Sequence, residues 1–154
     1  MPSMFPSMAR RTEASPLGPR PTSTPQIVHI GFWLLTVTVV LTLVTGLNMV
    51  TTDVSGRATS VELADLVARN MKILGVTNLV LGTGIAAFLM SVRQGDRTAR
   101  TVVLVLVMLL VLANMLGFLL RLGMFASLLI VVLSVVGTLL LFTGRARLWF
   151  QPED

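Results

Sequence analysis

The sequence predicts an all-α, polytopic membrane protein: four transmembrane helices in an antiparallel bundle. Two observations carry this. The 154 residues are 54% hydrophobic and only 12% charged, where a soluble domain carries about 25% charge. The 12 basic and 7 acidic side chains also cluster, at 10–20, 53–72, 93–100, 121 and 145–154. The charge-free intervals between them, 21–52, 73–92, 101–120 and 122–144, can each hold a spanning helix of about 20 residues. A soluble globular enzyme, a disordered chain and a collagen-like fibre are thereby excluded.

Residues 1–26 hold six of the seven prolines among Ser, Thr and Arg. Such a composition removes helix donors and offers little apolar surface, so a flexible cytoplasmic tail is expected. The run Ile27–Val50 exceeds the 7–15 residues of a signal peptide's apolar region, and is expected to remain as the first span. Asp53, Ser55, Gly56 and Arg57 have loop composition. Thr59 and Glu62 have capping-box spacing, which starts an amphipathic segment over 59–72. There Leu63, Leu66, Val67, Met71 and Leu74 form one face and Glu62, Asp65, Arg69 and Lys72 the other, with Asp65 placed to pair with Arg69. The segment lies at the interface or extends the second span, Ile73–Val92, or else forms a small extramembrane lid or docking surface.

The charged loop 93–100 leads to the third span, Thr101–Leu120. Only Arg121, Leu122 and Gly123 separate it from the fourth, Met124–Phe142, which forces an antiparallel hairpin. The four-helix domain thus covers 27–143, followed by an interfacial tail over 144–154. With the N-terminus inside, eight basic residues lie in cytoplasmic segments and four outside. That bias places both termini in the cytoplasm of a bacterial inner membrane. Trp33 and Trp149 then share the inner interface with Arg145 and Arg147, while Arg121 anchors the outer end of the third helix or meets a lipid headgroup.

Chemistry-bearing residues are scarce. There is no Cys and no Tyr, and His29 is the only His, so a thiolate site, a multi-histidine metal site and a histidine-based triad are all excluded within one chain. No ionisable residue lies in the middle of a span, where proton relays and ion paths keep them. The polar pattern concerns helix contact instead. Gly75, Asn78, Gly82 and Ala86 make a small, polar stripe on the second helix, and Ala113, Asn114 and Gly117 repeat the idea on the third. Thr38, Thr42 and Thr45 on the first helix, and Ser127, Ser134 and Thr138 on the fourth, are placed for interhelical hydrogen bonds.

Phe32 and Trp33 opening the first helix, Arg97–Leu104 leading into the third, and Arg147, Leu148, Trp149 and Phe150 after the fourth resemble the small four-helix integral membrane proteins of actinobacteria. That group has no established activity, so the resemblance implies architecture and source but no catalytic residues. The expected function is a non-catalytic accessory, assembly or regulatory subunit of a larger membrane complex, respiratory or of the cell envelope. The alternative is a small homo-oligomeric carrier, channel or lipid-binding protein. Expected partners are membrane lipid and other membrane subunits or further copies, without nucleic acid, cofactor or metal.

Overall fold

A computed structural model describes residues 23–52, 61–120, 124–143, 146 and 150, with side chains over 61–64 and at 124 left aside. Among them lie four helices: α1 (Gln26–Thr51), α2 (Val61–Arg93), α3 (Arg97–Leu119) and α4 (Met124–Phe142). All four are long and apolar enough to cross a membrane. They pack in a ring, α1 on α2, α2 on α3, α3 on α4 and α4 back on α1, with no contact across the diagonals among the described residues. This is the antiparallel four-helix bundle of a multi-pass membrane protein.

Valine and threonine dominate α1, and in water such β-branched residues would make a mediocre helix. In lipid, every backbone donor and acceptor must be satisfied within the segment, so the helix is the only open solution. Pro25, extended at φ −60° and ψ 143°, stands at the N-cap, and its carbonyl accepts from the amides of Val28 and His29. Thr52 closes the other end: its amide donates to the Asn48 carbonyl at 2.9 Å and its hydroxyl to Asn48 Oδ1 at 2.6 Å.

The amphipathic stretch and the second span form one helix of 33 residues, about 50 Å at 1.5 Å per residue. A hydrocarbon core is about 30 Å thick, so the N-terminal turns of α2 stand outside it. The expected Thr59 cap and the loop around Gly56 lie outside the described residues, as does the tail over 1–22. The expected Asp65–Arg69 ion pair does not form: both side chains are exposed and unbridged.

α3 begins four residues earlier than expected, because Gly95 and Asp96 cap two helices back to back. Gly95, at φ 88°, donates its amide to the Val92 carbonyl, and the Asp96 amide reaches back to that of Ser91. This is a Schellman closure of α2, and the positive φ is what favours glycine there. The Asp96 side chain then accepts from the Thr98 amide at 2.8 Å, starting α3.

Polarity is reversed relative to a soluble bundle. Large apolar residues cover the outside, among them Val80, Met108, Leu112 and Phe125, at 66%, 66%, 67% and 85% exposure. A continuous apolar exterior of this kind belongs against acyl chains. The buried polar residues Thr38, Thr42, Asn78, Asn114, Ser127, Ser134 and Thr138 all turn inward.

Candidate functional site in the bundle interior

The interior is organised by one polar contact between helices and two close backbone approaches. Asn78 on α2 and Asn114 on α3 are both fully buried, and Asn114 Nδ2 donates to Asn78 Oδ1 at 3.0 Å. The second hydrogen of the same amide goes to the Leu110 carbonyl at 2.9 Å. Asn78 Nδ2 and Asn114 Oδ1 are left without a hydrogen-bond partner. The pair is therefore half satisfied, in a medium where an unpaired polar atom is costly.

Beside Asn78, α1 and α2 meet at Gly46 and Gly75. A Cβ on either glycine would stand 2.8 Å from the other's carbonyl oxygen, so only glycine permits this separation. At the opposite end of α1, a Cβ on Gly31 would lie 3.2 Å from the Gly137 carbonyl of α4. α1 thus approaches α2 most closely near its C-terminus and α4 most closely near its N-terminus. Gly82 packs beneath Thr42 and Leu43, and Gly117 beneath Leu74, whose Cδ2 occupies the space that a side chain would need.

Of the residues proposed for helix contact, Gly75, Asn78, Gly82, Asn114 and Gly117 are buried between helices, and Ala113 is half-buried. Ala86 is exposed. The buried arc of α2 runs through Asn78, Leu81, Ile85 and Leu89, and Ala86 falls one residue, about 100°, round the helix from Ile85. Gly46, Gly31 and Gly137 were not singled out by the sequence pattern. Thr42 and Gly46 do have the small-xxx-small spacing that could have found one of them.

The hydroxyls expected between helices behave differently. Thr38 donates to the Leu34 carbonyl, Thr42 to Thr38 and Ser134 to Val131, each within its own helix. The short hydroxyl side chain of Ser or Thr in a helix reaches the carbonyl one turn back more readily than a neighbouring helix. Ser127 Oγ and Thr138 Oγ1 have no partner. The amide pair is the only side-chain hydrogen bond between helices among the described residues.

The end bearing the α2–α3 loop is tied by cations on rings. Arg93 of α2 lies 5.5 Å from the Phe32 ring of α1, and Arg100 of α3 lies 4.0 Å and 4.8 Å from those of Phe142 and Phe150. Each such contact contributes about 0.5–2 kcal/mol. Trp33 is exposed, and its Nε1 donates to His29 Nε2 at 3.0 Å, which occupies that ring nitrogen. Arg121, Arg145, Arg147 and Trp149 lie outside the described residues. Among the described residues, no three His, Asp or Glu side chains group together as a metal would need.

Fold and interior together define a multi-pass helical membrane protein, with a filled core, an apolar exterior and basic residues at its ends. Comparison with protein-family models, with characterised proteins and with solved structures gives no match.

Proposed function

We propose that the chain is a non-catalytic accessory, assembly or regulatory subunit of a larger bacterial membrane complex, respiratory or of the cell envelope. It sits in the inner membrane with both termini cytoplasmic, among membrane lipid and other subunits or copies of itself. The observation that carries the reading is the filled interior. Leu35, Ile85, Leu110 and Ile130 are fully buried in the bundle, so large apolar side chains occupy its interior and the outer surface remains to act. The excess of basic residues in the inner segments supports the orientation. The likeness to small actinobacterial membrane proteins supports a bacterial source.

A second reading, a small homo-oligomeric carrier, channel or lipid-binding protein, is favoured by four buried polar atoms without partners among the described residues: Asn78 Nδ2, Asn114 Oδ1, Ser127 Oγ and Thr138 Oγ1. A polar solute in transit would satisfy them. Extraction in mild detergent followed by native mass spectrometry separates the two. The subunit reading expects an assembly of fixed stoichiometry, whose other members lose stability when this chain is deleted. Solute flux by the purified chain alone in liposomes, abolished by Asn78→Leu, would overturn it in favour of the carrier.

A further inference from the structure

We propose that the groove between α2 and α3, at the end bearing the α1–α2 loop, binds one anionic phospholipid. Its acyl chain lies along the groove, and its phosphate meets Lys72 and Arg69. The groove encloses about 260 Å³ between the N-terminal half of α2 and the C-terminal end of α3. Its floor is Ala113, with Leu74 lying over Gly117, its walls are Ile73, Leu116 and Leu120, and Asn70 also lines it. All three wall residues are at least half exposed, so the groove opens outward, towards lipid.

Ile73 also borders a second, shallow depression formed with Asp65, Ala68, Arg69 and Lys72. An apolar trough and a cationic hollow therefore adjoin at one residue, the layout of an amphiphile. Position along the helix agrees. Lys72 is the last charge before Arg93 on α2, so Ile73 is the first residue of the apolar span and the two cations stand at headgroup depth. Both are exposed and make no ion pair among the described residues, and the hollow holds a single carboxylate, Asp65, against them. That balance favours an anionic headgroup over a zwitterionic one. The Thr77 hydroxyl on the groove wall is already spent on the Ile73 carbonyl at 2.9 Å, which leaves Asn70, beside Arg69 in the chain, as the other polar side chain lining the groove. A partner helix seated in the groove would gain the same apolar contact but leave both cations uncompensated. The site is independent of the subunit reading, since it needs only a bilayer.

The test is native mass spectrometry of the full chain in detergent, titrated with phosphatidylglycerol or with phosphatidylcholine of the same acyl chains. One phosphatidylglycerol adduct is expected, bound about tenfold more tightly than phosphatidylcholine. Replacing both cations (Arg69→Ala with Lys72→Ala) should weaken phosphatidylglycerol about tenfold and bring the two lipids together. Ala113→Phe should weaken both lipids by filling the floor. Ala113→Leu, with less bulk, serves if circular dichroism shows the Phe variant misfolded. Arg97→Ala, at the other end of the bundle, should change nothing. Equal affinity for the two lipids in the wild type would overturn the proposal. So would phosphatidylglycerol binding that survives both the cation and the groove variants, competition by inorganic phosphate alone, or a chain dimer that Ala113→Phe dissociates.

Discussion

Replacing Asn114 with Leu removes the amide but keeps the branching and nearly the shape of the side chain. Two hydrogen bonds are lost, to Asn78 Oδ1 and to the Leu110 carbonyl. The carbonyl keeps its helical partner, so the interhelical bond is the real loss, about 0.6 kcal/mol on average and up to about 1.7 in a membrane. Most of the cost falls on the amide left behind. Asn78, fully buried, would then have neither end of its side chain paired, and an orphaned buried polar group costs about 1–3 kcal/mol. The single variant should therefore lose about 2 kcal/mol, and Asn78→Leu about 1 kcal/mol, because Asn114 Nδ2 keeps its bond to the Leu110 carbonyl. The double variant removes both polar groups and should come within about 0.5 kcal/mol of wild type. Reversible unfolding in mixed micelles of increasing denaturing detergent, followed by circular dichroism, gives all four corners of the cycle. An interaction energy of about 2–3 kcal/mol between the sites is expected. Additive single losses, with the double variant the least stable of the four, would refute it.

Gly75→Leu places a side chain where a Cβ alone would already lie 2.8 Å from the Gly46 carbonyl, so a loss at the upper end of about 1–3 kcal/mol is expected in the same assay. Gly82→Leu should also destabilise the bundle by displacing Thr42 and Leu43, whereas exposed Ala86→Leu should leave the isolated chain unchanged; loss of native complex size with Ala86→Leu alone would mark that face as a partner contact. Gly95→Ala forces a Cβ into φ 88° and should cost about 1 kcal/mol, with Gly95→Asn milder; equal midpoints for all three would refute the cap. For orientation, Gly56→Cys should react with an impermeant thiol reagent added outside whole cells, and Gly95→Cys only after the membrane is opened; the reverse would invert the topology.

The spans were legible because charge is excluded from lipid more strictly than from any soluble core, so the gaps from Arg20 to Asp53, Lys72 to Arg93, Arg100 to Arg121 and Arg121 to Arg145 mark them almost directly. The start of α3 was not, because Asp96 reads as one more loop charge until its backbone is seen to be a helix cap. Within the site, Asn78 and Asn114 stand out on the contact stripes of the second and third spans, but that they meet each other depends on rotation and register, which no single-helix pattern contains. Gly46 illustrates the limit. It becomes a contact residue only through Gly75 on another helix, and its own neighbours Thr45 and Leu47 give little hint. The rings under Arg93 and Arg100 are invisible for the same reason, since each cation and its ring are far apart in the chain.

On this reading the interior is closed and the protein works through its outside. The chain has no cysteine, so single replacements report without background. Asn78→Cys and Asn114→Cys, in chain reconstituted into liposomes, can be exposed to a small water-soluble thiol reagent on both faces, with Gly95→Cys in the α2–α3 loop as the reference. Both interior positions should stay unmodified while the loop position reacts to completion. Modification of either at a rate near that of the loop would reveal a water-filled path through the bundle and contradict the account.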